Sequence, residues 1–215
     1  MTPIHHYYHI YADGAWEEPV TEHTDALRDS GLEDYPSFLL HIGLVGSKEN
    51  VQRVRDYLGK KNLEWNLIGW REKGWEQLTL NAVAHDCKQT EGLVFYAHTK
   101  GAHDPSRFNT AWRRRMTYFS VTRWKDAIAK LENCSAYGCH WMELEGSWIF
   151  GGNFWWTHME HLRLLDPVNM DNRWKAEEWI GHLRHHVKDF RAYDPAGPFP
   201  GKVVASTENR DSTCW

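Results

Sequence analysis

Short apolar runs alternate with amphipathic stretches through the first half of the chain. Four runs, at residues 4–12, 38–45, 65–68 and 93–97, have the length and apolar character of strands. The stretches between them space their apolar residues three or four positions apart, as helices covering a sheet do. These residues are Val20 and Leu27, then Val51, Val54 and Leu58, then Trp75, Leu78 and Ala82. The alternation predicts an α/β fold, a Rossmann-type, mostly parallel sheet flanked by helices.

The boundaries of individual elements follow from local signals. Ser47 precedes the second amphipathic stretch and is expected to cap its helix. The second half of the chain predicts a more mixed, partly antiparallel arrangement. Its expected elements are one or two helices over residues 109–131, strands over residues 136–141 and 147–150, a short helix capped by Thr157, and a last helix over residues 173–187.

Length and composition restrict the class of protein. A chain of 215 residues suits one domain with its own core. Proline and glycine recur beyond Phe190, so we expect a single domain over residues 1–190 and an irregular tail over residues 191–215. No apolar run is long enough for a membrane span, and the start lacks a signal-peptide pattern. Four cysteines without C-x-x-C spacing favour reduced thiols and a cytoplasmic location.

Several common enzyme classes lack their motifs. The chain contains no G-x-G-x-x-G after the first strand, no P-loop and no G-x-S-x-G. Dinucleotide-dependent dehydrogenases, P-loop kinases and esterases are therefore disfavoured.

Polar residues follow the fourth predicted strand at its carboxyl end. His98, Thr99 and Lys100 stand there, and ligands of open α/β sheets bind in the crevice at this edge. The net charge is −4, yet residues 100–125 carry seven Lys or Arg and only one acidic residue, Asp104. If these cations share one face, they could bind a diphosphate or a polyanionic acceptor; a solvated helix face is the alternative.

Three motifs in order carry a family resemblance. The segments are His98 to Gly101 (His-Thr-Lys-Gly), Gly152 to Trp156 (Gly-Asn-Phe-Trp-Trp), and Ala176 to Ile180 (Ala-Glu-Glu-Trp-Ile). Together they resemble a family of small sugar-nucleotide-dependent glycosyltransferases with a GT-A-like fold, over about residues 38–186. The resemblance implies transfer from a nucleoside-diphosphate sugar, most readily a UDP-sugar, to a hydroxyl of a glycan or a hydroxylated DNA base. It also implies inversion with a glutamate as general base.

The resemblance further implies roles for particular residues. Glu177 is the expected general base and Glu178 the reserve, each with its pKa kept low by the helix N-terminus. Tyr11 and Asp13 would hold the nucleobase and ribose, while Glu76 would orient Lys100 or a donor hydroxyl. The expected contacts of sugar and acceptor are Gly152, Asn153, Trp155 and Trp156. For Tyr11, Trp155 and Trp156 ordinary packing is the alternative, and for Glu76 a place on the surface.

The resemblance departs from most GT-A enzymes at the metal site. Their Asp-x-Asp is replaced here by His98, Thr99 and Lys100, and Mg²⁺ or Mn²⁺ prefers carboxylate oxygens. We therefore expect Lys100, helped by one of Arg113, Arg114 and Arg115, to neutralise the diphosphate with no metal required. If Mn²⁺ or Mg²⁺ is used, Asp104, His98 or His103 are the expected ligands.

Two other classes of function stay open from the sequence. One is a non-catalytic carbohydrate- or nucleotide-binding module with the same sheet and aromatic residues. The other is a metal-dependent hydrolase or nuclease that uses the 14 histidines, although neither His5, His6 and His9 nor His185 and His186 have accompanying carboxylates at ligand spacing.

Overall fold

A computed structural model describes residues 1–170 and 172–197, and it confirms the α/β fold with a mainly parallel sheet. Its seven-stranded sheet has the order β3-β2-β1-β4-β8-β5-β9, where β8 is Trp155–His158, β5 is Ala136–Gly138 and β9 is Ala192–Tyr193. The first four of these strands run parallel to one another. They are β1 (Ile4–Tyr11), β2 (Phe38–Val45), β3 (Asn66–Arg71) and β4 (Leu93–His98).

Three helices connect these strands, as the apolar spacing predicts: α1 (Glu17–Asp29), α2 (Lys48–Lys60) and α3 (Gln77–Asp86). The Ser47 side chain accepts a hydrogen bond from the Asn50 amide and caps α2, as expected. The expected apolar face of α2 is buried. In α3, by contrast, Leu78 and Ala82 are only half-buried, and the polar side chains of Gln77 and Thr79 are fully buried.

After β4 come α4 (Arg107–Thr117), a π-helical turn (Tyr118–Thr122) and α5 (Trp124–Leu131), which together cover the expected helical region. Next are β5 (Ala136–Gly138), the hairpin of β6 (Trp141–Leu144) and β7 (Ser147–Phe150), then β8 (Trp155–His158) and α6 (Met159–Leu162). β8 lies antiparallel between β4 and β5. The expected cap at Thr157 is wrong, because Thr157 lies within β8 and α6 begins after His158.

The last expected helix is broken into three pieces: α7 (Lys175–Glu178), a 3₁₀ turn (Trp179–His182) and α8 (Leu183–His186). Beyond residue 190, Ala192–Tyr193 forms β9 beside β5, so the expected irregular tail adds a strand to the sheet. Positions 198–215 of that tail lie outside the described residues. No helix among the described residues is long and apolar enough to cross a membrane.

The sheet separates two cores. Alternate residues of β1 point to opposite faces. Tyr8 and Ile10 join the cluster under α1, α2 and α5, which includes Trp156. Tyr7 joins the cluster under α3, α6 and the last helical segments, which includes Trp155. This second side of the sheet carries the polar residues described next.

Candidate functional site

A cavity of about 310 Å³ opens at the carboxyl ends of β1 and β4. The strand order reverses between these two strands, and this is the place where open α/β sheets bind ligands. Six of the expected site residues line the cavity: Tyr11, Glu76, His98, Thr99, Lys100 and Glu177. The other lining residues are His9, Gly74, Trp75, Gly101, Ala102, His103, Asp104, Asn109, Arg173 and Trp174.

The loops after β1 and β4 are joined to each other at the floor of the cavity. The Tyr11 amide donates to the Thr99 hydroxyl at 2.9 Å, and the Ala15 amide donates to the Ala102 carbonyl at 2.7 Å. A side chain at Gly14 would meet the Ala102 carbonyl oxygen at 2.2 Å, so the close approach requires glycine there. The Thr99 side chain thus holds the backbone of Tyr11, and the Tyr11 side chain remains half-buried at the cavity wall.

Glu76, just before α3, joins three elements through its carboxylate. One oxygen, Oε2, accepts from the Tyr96 hydroxyl at 2.8 Å and from Asn153 Nδ2 at 2.7 Å. The other, Oε1, lies 3.2 Å from His98 Nδ1. The side chain is only 16% exposed, so the surface alternative for Glu76 is wrong. Its contacts are with strand and turn residues that hold the carboxylate in one orientation.

His98 is held at its Nε2 atom, which donates to the Gly152 carbonyl at 3.0 Å. Burial, and then the charge of Lys100, lowers the pKa of His98 to about 4, so the ring is neutral near pH 7. Its proton therefore lies on Nε2, and the unprotonated Nδ1 lies 3.2 Å from Glu76 Oε1. The ring forms part of the wall of the cavity.

Glu177 brings a second carboxyl group to the cavity. It follows Ala176 in α7, which is 2% exposed and anchors the helix in the core. The expectation of a low pKa is wrong, because burial raises the pKa of Glu177. Lys100 opposes that rise, and the charge of Glu76 adds to it. Glu178 points elsewhere and pairs with Lys175 at 2.5 Å, so it does not line the cavity.

Two cations line the same cavity. The Lys100 ammonium lies 4.2 Å from the centre of the Trp112 ring. Arg173, which the sequence analysis missed, stacks on Trp174 at 4.3 Å, and burial lowers the pKa of its guanidinium. Its only sequence signal was its place four residues before Glu177. The cavity therefore combines two cations with the carboxyl groups of Glu76 and Glu177.

α3 holds the segment that carries Arg173. Buried Gln77 donates from Nε2 to the Asn172 carbonyl at 2.9 Å. Asn81 accepts from the Val168 amide at 2.7 Å and donates to the Val168 carbonyl at 3.2 Å. These bonds explain why α3 carries Gln77 and Asn81 toward this segment, since a polar group in a core stabilises the fold only when it is hydrogen-bonded.

Three of the residues expected to bind the donor nucleotide lie elsewhere. Arg113 is 3% exposed, and its guanidinium contacts Glu22 at 2.8 Å and donates to the Lys100 carbonyl at 3.0 Å. Arg114 pairs with Glu22 at 2.6 Å on the surface. Asp13 accepts from the Ser47 amide at 2.8 Å and from Asn50, and therefore supports the start of α2. None of the three lines the cavity.

The expected sugar platforms are core residues. Trp155 and Trp156 are both fully buried, and they stack on Tyr96 at 5.2 Å and on Phe95 at 4.7 Å. Asn153 is also fully buried, and its side-chain amide forms hydrogen bonds with Glu76 and Trp155. Gly152 has a φ of 86°, and a Cβ there would meet Met116 Sδ at 2.5 Å. This segment therefore supports the cavity from behind and presents no stacking face to a sugar.

The basic stretch does not form a free positive face. Besides the pairing of Arg113 and Arg114 with Glu22, Arg115 donates to the Ala196 carbonyl and Arg123 pairs with Asp126. These partners neutralise or occupy most of the charge that the linear sequence displays.

The residues of the cavity fit a divalent metal poorly. His98 Nε2 donates to the Gly152 carbonyl, and the Asp104 carboxylate accepts from Asn109 Nδ2 at 2.8 Å. Over residues 1–170 and 172–197, no three His, Cys, Asp or Glu side chains form a group that could hold a metal ion.

Similarity to known proteins is confined to family and fold. Residues 7–199 match the family model described as a domain of unknown function, DUF8361. No curated protein matches the sequence. A mannosyltransferase from Pyrobaculum calidifontis, solved with GDP-Man and Mn²⁺, is similar in structure at 15% identity and a TM-score of 0.51, with 92% of this chain and 56% of that chain covered. The present chain thus spans little more than half of that enzyme's length.

Two further solved structures share the fold. A putative nucleotide-diphospho-sugar transferase from Desulfovibrio desulfuricans G20 matches at 9% identity and a TM-score of 0.50, over 90% of this chain and 80% of that one. The 4-diphosphocytidyl-2C-methyl-D-erythritol synthase from Anaerococcus prevotii DSM 20548 matches at 10% identity and a TM-score of 0.51, over 92% and 90%. At these identities the similarity shows the fold alone, that of nucleotide-sugar transferases and related enzymes.

Proposed function

The chain belongs to the DUF8361 family, a domain of unknown function, and we propose that it is a glycosyltransferase that uses a nucleoside-diphosphate sugar. The observation that carries the proposal is the composition of one cavity. Lys100 and Arg173 supply positive charge there, and Glu177 supplies a buried carboxyl group whose pKa is raised. Glycosyl transfer needs both: charge to stabilise the departing diphosphate, and a base for the acceptor hydroxyl.

In the proposed reaction, the Glu177 carboxylate takes the proton of the acceptor hydroxyl. The acceptor oxygen then forms a bond to the anomeric carbon while the bond from that carbon to the diphosphate oxygen breaks. The electron pair of the broken bond stays on the diphosphate, where Lys100 and Arg173 stabilise it. Attack opposite to the leaving group inverts the anomeric centre. The raised pKa of Glu177 makes this carboxylate a stronger base near neutral pH.

Tyr11 and His103 are proposed to flank the nucleobase. Both line the cavity beyond Thr99, and their ring centres are 6.2 Å apart. The identity of the nucleotide is left to experiment; a UDP-sugar is the first choice, and GDP-, CDP- and dTDP-sugars are the alternatives. We propose that no metal is required, because Lys100 and Arg173 already supply two charges.

A glycan acceptor is favoured over a hydroxylated DNA base. Phosphate contacts supply most of the affinity for DNA, and four of the five arginines in residues 100–125 are occupied by Glu22, Asp126 and a backbone carbonyl. Trp174, in contrast, lines the cavity and is 39% exposed. An indole of this kind offers a flat apolar face to a sugar ring.

Donor binding is tested by thermal shift with UDP-, GDP-, CDP- and dTDP-sugars, in EDTA and in Mn²⁺, because a ligand of the native state must raise the melting temperature. A shift with one nucleotide family in EDTA supports the proposal. A shift that requires Mn²⁺ refutes metal independence. The absence of a shift with any donor under either condition refutes use of the four nucleotide families.

Catalysis is tested with Glu177→Gln and its neighbour Glu178→Gln. The first variant should lose transfer by at least about 10²-fold while donor binding is retained, since the base is removed and the cations remain. The second should keep its activity because Glu178 pairs with Lys175 outside the cavity. Donor binding without turnover in the wild type would instead identify a non-catalytic module.

A further inference from the structure

The segment that resembled a sugar-binding motif contains a buried chain of hydrogen bonds behind the cavity. The Trp155 indole Nε1 donates to Asn153 Oδ1 at 2.8 Å. Asn153 Nδ2 in turn donates to Glu76 Oε2 at 2.7 Å and to the Ala176 carbonyl at 3.3 Å. Both Asn153 and Trp155 are fully buried.

The amide of Asn153 has no alternative arrangement with equal bonding. Its two N–H groups and its oxygen are all used, and each donor faces an oxygen while the acceptor faces an indole N–H. Rotation of the amide by half a turn would place N–H against N–H at Trp155 and oxygen against oxygen at Glu76. The indole proton therefore fixes the direction of the amide.

The backbone also holds Asn153 in place. Its φ of 57° lies in the left-handed region, which asparagine tolerates better than most residues. Its backbone N–H donates to the Phe150 carbonyl at 2.8 Å. The preceding Gly152 carbonyl accepts from His98. The Asn153 side chain is thus held in one place, and it can therefore fix the positions of Glu76 and Ala176.

The two groups that accept from Asn153 Nδ2 belong to different elements. Glu76 stands at the start of α3, whereas Ala176 immediately precedes Glu177 in α7. We propose that Trp155 and Asn153 are positioning residues, which hold Glu177 at a fixed distance from Glu76 and thereby set its basicity. This inference rests on the proposed role of Glu177 as the base.

Loss of this chain of hydrogen bonds should lower the pKa of Glu177. The negative charge of Glu76 adds to the rise in the pKa of Glu177, which Lys100, His98 and Arg173 oppose. If the hydrogen bonds from Asn153 Nδ2 to Glu76 and to the Ala176 carbonyl are lost, the two carboxyl groups are no longer held together, and the charge of Glu76 repels Glu177 less. The pKa of Glu177 then falls, and the acid limb of the kcat profile moves to lower pH.

The chain offers a matched control at the next residue. Trp156 is equally buried in β8, but it points to the other face of the sheet and donates to the Ser120 carbonyl at 2.9 Å. Trp155→Phe and Trp156→Phe therefore remove the same indole N–H from two cores. Each variant leaves one buried acceptor without its indole donor, and the two losses should destabilise the protein to a similar extent. Only Trp155→Phe removes a hydrogen bond of Asn153.

The experiment compares kcat, the KM for the donor and the pH profile of kcat for both variants. Trp155→Phe should lower kcat by at least about tenfold, leave the KM for the donor within about twofold, and move the acid limb to lower pH. Trp156→Phe should keep kcat and the pH profile at a similar loss of melting temperature. Equal effects of the two variants, or no effect of Trp155→Phe, would overturn the proposal.

A second readout separates this proposal from the proposed function. The pKa of Glu177 is measured directly by ¹³C NMR titration of side-chain carboxyl groups in the ligand-free protein, with Glu177→Gln to assign the signal. A lower pKa in Trp155→Phe but not in Trp156→Phe supports the positioning chain even if no transfer is detected. An unchanged pKa in both overturns it even if the wild type is an active transferase.

Discussion

The pair of His6 and His23 makes stability strongly dependent on pH. The two Nε2 atoms are 2.7 Å apart in the core, and His6 Nδ1 donates to the Phe95 carbonyl at 3.1 Å. Because the carbonyl can only accept, neutral His6 carries its proton on Nδ1 and accepts from His23. Burial lowers the pKa of His6 to about 3 and that of His23 well below 6.5.

The direction in which stability changes with pH follows from proton uptake by the unfolded chain. Below pH 6.5 the unfolded state binds protons at both histidines, whereas the folded state leaves them neutral, so stability falls as pH falls. The loss begins near 6.5 and continues to the folded pKa, about 3 for His6. At pH 5 the neutral His6 costs about 2 kcal/mol, at about 1.36 kcal/mol per pH unit below 6.5, and the neutral His23 adds to this loss.

Urea denaturation at pH 7.5 and pH 5.0 measures this loss. In the double variant His6→Leu with His23→Leu, the difference in unfolding free energy between the two pH values should shrink by at least about 2 kcal/mol. Changes in packing largely cancel, because each protein is compared with itself. The exposed His186→Gln should leave the difference unchanged. A reduction of less than about 1 kcal/mol in the double variant would refute the reasoning.

Two further predictions concern the supports of the cavity. Gly152→Ala should destabilise the protein by about 2 kcal/mol or more in urea denaturation, because of its positive φ and the contact with Met116. Gly59→Ala, in α2 with open space around it, should instead raise stability by up to about 1 kcal/mol. If Gly59→Ala were the more destabilising of the two variants, this explanation would be contradicted. Gln77→Ala should raise the KM for the donor by about tenfold, because it releases the Asn172 carbonyl beside Arg173. An unchanged KM in steady-state kinetics would show that Gln77 only stabilises the fold.

The sequence by itself determined the first four strands and their parallel order. Long apolar runs separated by helical spacing leave few arrangements in which both faces of a sheet are covered. β2 has the expected boundaries, and Ser47 caps α2 through a contact three residues away. The same local rule placed His98 and Lys100 at the ligand edge, since the residue after a parallel strand must emerge there.

Only the tertiary structure decided which charges and rings face the cavity. Arg113 meets Glu22 from 91 residues away, and no local pattern reports that partner. Trp155 and Trp156 lie in β8 and not in a loop, because their backbone pairs with β4 and β5. Periodicity tells which face of a segment is buried but not what covers it. For the same reason the stretch around Glu177 suggested a helix end with a low pKa. Its buried position, together with the charge of Glu76, raises the pKa instead.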